Sequence, residues 1–364
     1  MKVRLFFAFV CVISALFLVA FGLVGISAAT QPGYEFSSFF TDSVRTQVFA
    51  FAAGLIIGLV VLYIGFSYLL RIAPYLGGIS LALLVLTLII GHETYGAQRW
   101  ISLGFFQFQP SELAKLTLPL FLVWISAHFS GWRKWVVSTL VALCFIGLVI
   151  IQPDLGTSIV LLTEFLGFLV VDGINWGVLF SGVYALILMF PVLWEKGLRD
   201  YQRRRLLSFL NPYDDTTKDG YNLIQAWTAI GAGGLRGKGL QDAFFLYYGY
   251  LPVDYADFIF ATIAYVLGFW GALAVIILVC TFLLGGLGYA FFVPNQIQQK
   301  FCFMALCAWA VQFVINIGMN LGLMPITGIP LPFISYGGSA ILMNTVMLFV
   351  FLSYRPEPEA HETH

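Results

Sequence analysis

Apolar runs of about 17–25 residues recur along most of this chain, the length at which a single α-helix crosses the hydrocarbon core of a bilayer. They fall at about 5–29, 47–70, 75–91, 111–127, 134–151, 156–172, 175–195, 257–288, 300–321 and 337–354. The 364 residues are 60% hydrophobic and 10% charged, against about 25% charged in a soluble domain. A soluble fold is excluded. The expected fold is an all-α polytopic membrane protein with about ten transmembrane helices, residues 1–364 forming a single integral-membrane domain. Lys2 and Arg4 precede the first run. That run is too long for a signal-peptide core and no cleavage site follows, which predicts a retained helix.

The few charges are bunched. Lys196, Arg199, Arg203, Arg204, Arg205, Lys218, Arg236 and Lys238, eight of the 18 Lys/Arg, lie between Lys196 and Asp257. Charge is costly near a bilayer and marks function there, so residues 196–256 read as one large loop between helices 7 and 8 that carries chemistry. Orientation follows from Lys/Arg in the short loops. One side holds Lys2, Arg4, Arg71, Arg133, Lys134, Lys300 and Arg355; the other holds Arg45, Arg99 and Lys115. This count predicts cytoplasmic termini, an extracytoplasmic large loop and a cytoplasmic tail over 355–364. The zero net charge gives nucleic acid no electrostatic handle. The five cysteines lie in apolar runs without CxxC spacing and read as packing residues. No repeat of fixed period is present, which argues against an inverted-repeat transporter.

Five segments stand out. Arg99 to Phe108 is amphipathic and aromatic, including Trp100, and suits the membrane interface. Ser111 then reads as a helix cap, with Glu112 favoured by the helix dipole and Lys115 three residues on, on the same face. Gln152-Pro-Asp-Leu-Gly-Thr157 reads as a turn in which Asp154 caps the next helix, a structural or supporting role. Leu198 to Pro212 reads as an amphipathic helix with Arg199 and Arg203 one turn apart. In the Gly-rich run 230–239, Ala232 and Gly239 break the P-loop pattern, yet its backbone N–H groups and Lys238 suit an anion. Asp257 opens the eighth helix, where it reads either as a cap or as a reactive carboxylate. Finally, Met324-Pro-Ile-Thr-Gly-Ile-Pro-Leu-Pro-Phe-Ile-Ser-Tyr-Gly-Gly338 is irregular backbone at membrane depth, which requires cover by protein or water.

In order, Gly-Ala-Gln-Arg-Trp-Ile, Gln-Pro-Ser-Glu-Leu-Ala-Lys, Gln-Pro-Asp-Leu-Gly-Thr, Tyr-Gln-Arg-Arg-Arg-Leu, Asp-Phe-Ile-Phe-Ala and Gly-Ile-Pro-Leu-Pro-Phe-Ile-Ser-Tyr-Gly-Gly resemble the SEDS family (shape, elongation, division and sporulation). The likeness covers most of the chain from Gly91 onward and leans toward RodA over FtsW. It implies a GT-C-like SEDS fold and a peptidoglycan glycosyltransferase that polymerises lipid II on the outer face of the bacterial cytoplasmic membrane. It also implies a weakly bound divalent metal, Mg or Mn, at Asp257. The implied partners are a class B penicillin-binding protein (a transpeptidase) and the elongation or division machinery. By position, Asp257 matches the family's essential carboxylate, and Arg99, Trp100, Glu112, Lys115 and Arg204 match its proposed cavity. Asp154, Asp254 and Ser335 are supporting candidates.

The chemistry suits these residues independently. Displacement at an anomeric carbon needs a base for the acceptor hydroxyl and cations for the departing pyrophosphate. Asp257 offers the first; Arg99, Lys115, Arg203, Arg204 and Lys238 offer the second. The chain departs from the family at Val253, Tyr255 and Ala256, and at Tyr265-Val266, where acidic or polar residues are usual. Four functions stand side by side: a RodA-type polymerase, an FtsW-type division polymerase, a lipid-linked-precursor flippase and a non-catalytic scaffold for a transpeptidase. A cysteine at Thr217, in a background without the native five, is expected to react with an impermeant thiol reagent on intact spheroplasts. Labelling only after lysis would put the loop inside.

Overall fold

The computed structural model describes residues 2–31, 38–94, 97–102, 104, 107–192, 195, 200–213, 219–241, 246, 251 and 255–354. Its helices are α1 (Lys2–Ala29), α2 (Asp42–Ile64), α3 (Phe66–Ile90), α4 (Pro110–His128), α5 (Gly131–Ile151), α6 (Leu155–Val171), α7 (Trp176–Val192), α8 (Asp200–Leu210), α9 (Asp219–Gly233), α10 (Ile259–Phe291), α11 (Gln296–Asn320) and α12 (Gly338–Leu352). Each apolar run of the sequence corresponds to one of these, while α8 and α9 lie within the polar loop. α1, α2, α3, α5, α10 and α11 are long and apolar enough to cross a bilayer, and α6 and α12 are shorter apolar helices. The chain is a multi-pass membrane protein. The tail from Arg355 onward lies outside the described residues.

Two boundaries differ from the sequence reading. The apolar runs at 47–70 and 75–91 place the break between the second and third helices at 71–74, but Pro74 lies inside α3 and the break falls at Gly65, with φ 83°. A left-handed φ ends a helix, whereas an internal proline forfeits one hydrogen bond and kinks it. The eighth apolar run starts its helix at Ile259, with Phe258 as N-cap. Asp257 therefore neither opens nor caps that helix.

The fold is also not purely helical. Strands β1 (His92–Thr94), β2 (Ala97–Ser102) and β3 (Gln107–Phe108) form an antiparallel sheet in the order β1-β2-β3. The sequence suggests an interfacial amphipathic segment here. Strand pairing instead satisfies the backbone of a stretch too short for a stable helix.

α1 packs along α10, α12 along α2, α3 on α4 and α11 on α6. α11 sits at the centre, with Trp309, Phe301 and Phe313 fully buried. A second, smaller core lies under α9, where Leu223, Ala226 and Ala229 meet Phe258, Ala261, Tyr265 and Val266. Tyr265 and Val266 are two of the family departures. Here they supply apolar contact to the loop helix instead of charge.

α10 is broken at Gly268 (φ 70°, ψ −166°). The segment after α9 closes the break: Lys238 and Gly239 donate their N–H groups to the carbonyls of Tyr265 (3.0 Å) and Val266 (2.9 Å), and Phe269 donates to Gly234 (2.8 Å). Gly237, at φ 79°, lies so close that a Cβ there would stand 2.1 Å from the Val266 carbonyl oxygen. Gly237→Ala is expected to cost about 1–3 kcal/mol through strain at that φ, read as a lower melting temperature in detergent. An unchanged melting temperature would mean that this contact is loose.

Candidate active site

The irregular segment between α11 and α12 is the centre on which the other motifs converge. It is buried at Ile326, Ile329, Leu331, Phe333, Ile334 and Ser335, as the cost of unsatisfied backbone in a membrane demands. A Cβ placed on Gly328 would lie 3.7 Å from Asp257 Oδ2 and 3.9 Å from Arg205 Nη1. The carboxylate and the guanidinium thus approach one point of the loop. On the same stretch, a Cβ on Gly156 would lie 3.0 Å from the Thr327 carbonyl oxygen and 2.6 Å from Ile329 Cγ1. The Gln-Pro-Asp-Leu-Gly turn therefore packs against the residues flanking Gly328.

Asp257 is positioned by its backbone. Its carbonyl accepts from Asn316 Nδ2 (3.1 Å) and Asn320 Nδ2 (3.2 Å) on α11. Asn316 also donates to the Ile329 carbonyl at 2.8 Å, tying Asp257 to the loop through one amide. Asn320 Oδ1 accepts from the Ala261 N–H at 3.1 Å, so the first turn of α10 is capped by a neighbouring helix. That frees Asp257 from the capping duty that the sequence allows it. Ser335 Oγ donates to the Ala256 carbonyl at 2.7 Å and accepts from the Leu331 N–H at 2.8 Å. The Tyr336 N–H donates to the Tyr255 carbonyl at 2.9 Å. The half-buried Asp257 remains accessible from one side.

Gln312, one turn before Asn316 on α11 and about 6 Å along its axis, accepts from Lys115 Nζ at 2.9 Å. Lys115 also pairs with Glu112 at 2.7 Å, and both side chains are buried. The expected pair on α4 is present. It is linked through Gln312 to the helix face that holds Asp257. Nearby on α6, Glu164 is fully buried, and neither of its oxygens has a hydrogen-bond partner among the described residues. It interacts electrostatically with Lys115 and Glu112. The sequence reading passed over Glu164; its only signal is a lone carboxylate inside an apolar run.

Other candidates are placed elsewhere. Arg99 donates to the carbonyls of Gln152 (3.4 Å) and Pro153 and lies 3.8 Å from Asp154, so it anchors the sheet to the Gln-Pro-Asp turn. Asp154 caps α6 by accepting from the Thr157 N–H at 3.2 Å and takes the Thr157 hydroxyl at 2.9 Å. Ser111 is not the cap of α4, whose N-cap is Gln109; its hydroxyl reaches Asp154 at 3.3 Å. With Pro110 at the first helical position, Ser111 lies two places past the cap. Trp100 is half-buried on β2, its backbone paired with His92. Arg203 donates to the Glu195 carbonyl. Lys238 is exposed beside Tyr265, eight residues and about 12 Å of helix beyond Asp257, and is not brought to the Gly328 loop. Arg204 lies in α8, with its side chain outside the described residues; Asp254 lies outside the described residues altogether. Among the described side chains of this run, Arg205 reaches the loop. Three consecutive arginines in the sequence hide which one faces inward, because helix rotation decides it.

Residues 4–356 match the profile of the FtsW/RodA/SpoVE cell cycle proteins. The chain belongs to this family. It is 37% identical over 274 residues to the peptidoglycan glycosyltransferase MrdB of Escherichia coli K12, covering 74% of each chain. It is 32% identical over 354 residues to the probable peptidoglycan glycosyltransferase FtsW of Pseudoalteromonas translucida, covering 93% of this chain and 86% of that one. Among solved structures, a chain of a peptidoglycan synthase complex that coordinates polymerization and crosslinking superposes with a TM-score of 0.80 at 31% identity, covering 94% and 95% of the two chains. The rod shape determining protein RodA of Thermus thermophilus gives 0.69 at 28% identity, covering 94% of each chain.

Asn316 serves two carbonyls at once. Asn316→Leu is expected to lower stability by about 1–3 kcal/mol for the acceptor left unpaired at Ile329, measured as a shift in the thermal unfolding midpoint. Retained stability would show that the clamp on the Asp257 segment is dispensable.

Proposed function

We propose that this protein is a RodA-type peptidoglycan glycosyltransferase that polymerises lipid II into glycan strands for cell elongation and shape. The site would face the outside of the bacterial cytoplasmic membrane, with both termini in the cytoplasm. The observation that carries this reading is the approach of Asp257 and Arg205 to one accessible point of the Gly328 loop, in a chain that matches peptidoglycan polymerases over nearly its whole length. Asp257 would take the proton of the acceptor hydroxyl as its oxygen attacks the anomeric carbon of the donor. The bond from that carbon to the prenyl pyrophosphate breaks with inversion, and the leaving group carries the electron pair away. Arg205 is the nearest fixed cation for that charge, since a guanidinium grips phosphate with two parallel hydrogen bonds.

A divalent metal fits this site only in a weak form. Among the described residues no group of three or more His, Cys, Asp or Glu is placed to hold one. Among the described residues, Asp257 is the carboxylate that approaches the Gly328 loop. One carboxylate, with water and substrate phosphates completing the shell, is how Mg²⁺ is commonly held. When bound, it would neutralise pyrophosphate charge. The partner in this reading is a class B penicillin-binding protein, supported by the likeness to a chain of a complex that couples polymerization to crosslinking. An FtsW-type division role is the second reading, favoured by the longer alignment to a protein of that name.

Asp257→Ala is expected to reduce lipid II polymerisation by the purified protein about 10²–10⁴-fold, the usual cost of losing a general base, with folding unchanged. Glycan strands would be followed on gels with and without the cognate transpeptidase. Wild-type turnover in this variant would sink the assignment.

A further inference from the structure

A second polar cluster lies at the other end of α11, sixteen residues and about 24 Å of helix away from Asn316, where glycosyl transfer does not reach. Its centre is Asp172, the C-cap residue of α6. Asp172 accepts from Ser126 Oγ of α4, Lys134 Nζ of α5 and Lys300 Nζ of α11, each at 2.5 Å. Burial alone would raise this carboxyl. Hydrogen bonds from Lys134, Lys300 and Ser126 outweigh burial and hold it below the usual carboxylate value. Two ammonium groups therefore share one carboxylate, and the cluster keeps one positive charge in excess.

That charge borders open space. A cavity of about 350 Å³ is lined by Lys300, Gln296, Gln299, Val171 and Phe303, a size at the lower end of small-ligand sites. Lys300 has three N–H donors; Asp172 and Ser126 take two of them, and its side chain is 26% exposed. Gln296 is exposed in the first turn of the 25-residue α11, where the helix dipole favours an anion. Val171 and Phe303 give the cavity apolar walls. Trp132 and Trp176, at the nearby starts of α5 and α7, are 71% and 58% exposed, as tryptophans are at the boundary between hydrocarbon and headgroups. A cavity at that level, cationic at one end and oily along its sides, suits an amphiphile whose head is a phosphate. Basic pockets between membrane helices take such headgroups.

We propose that this cavity binds the phosphate headgroup of an anionic phospholipid, contacted by Lys300 and Gln296, with the lipid's glycerol and first acyl carbons against Val171 and Phe303. The test uses the full-length protein in detergent and native mass spectrometry, titrating phosphatidylglycerol, phosphatidylcholine or inorganic phosphate. The wild type is expected to retain one phosphatidylglycerol at least about fivefold more tightly than phosphatidylcholine, the size of one basic residue's contribution to anionic-lipid contact. Lys300→Met is expected to erase that preference. Because it also removes a partner of Asp172, Gln296→Glu is the second variant: it leaves every Asp172 contact in place and sets a like charge in the cavity. Gln296→Glu should lose the preference with an unchanged melting temperature. Equal retention of phosphatidylglycerol by the wild type and Gln296→Glu would overturn the site. Binding of inorganic phosphate without discrimination between the two lipids would overturn the lipid as its occupant.

Discussion

A bilayer interior supplies no water to an unpaired backbone group, so every break in a membrane helix must be closed by the protein itself. That constraint organises this structure. The start of α10, its interruption at Gly268 and the irregular stretch before α12 all expose main-chain groups. Each is closed by a polar group brought from elsewhere in the sequence. Asn316 and Asn320 close the first, the backbone of residues 234–239 closes the second, and Ser335 with Gln47 ties down the third. Asp257 is held as a consequence of this closure, its carbonyl oxygen accepting from both amides.

The buried Glu112–Lys115 pair follows a different logic. Removing two charges from water costs several kcal/mol per ion and is only partly recovered by their attraction, so the pair is poor evidence for stability. Its link through Gln312 to the face of α11 that holds Asp257 gives it a reason to be kept near the site. Glu164 is buried beside this pair without a hydrogen-bond partner among the described residues. Where the resemblance leads to an expectation of acidic or polar residues at 265 and 266, Tyr265 and Val266 face the small core under α9 and pack there as apolar contacts.

The two ends of α11 divide the labour. Near Asn320, amide side chains organise the backbone around a carboxylate and a guanidinium. Near Gln296, a lysine-rich cluster meets the headgroup region. One helix therefore links the site of chemistry to the opposite membrane boundary, with its buried aromatic residues in between.

The sequence by itself determined the solvent, the helical periods and the family, because each is a local property: a run of about twenty apolar residues has few alternatives in water, and the motifs are contiguous. It also gave away the Glu112–Lys115 pairing, which one helical turn dictates. It did not reveal that residues 92–108 pair as strands, that Gly65 outranks Pro74 as a helix break, or that Asp257 precedes its helix. Nor could it choose Arg205 from among three adjacent arginines, or join Asn316 to both Asp257 and Ile329. Several of those outcomes rest on contacts between residues distant in sequence, as between Asn316 and Asp257. Only the packed helices fix which face of each segment turns inward, and an unpaired polar group in a membrane takes whichever partner that packing delivers.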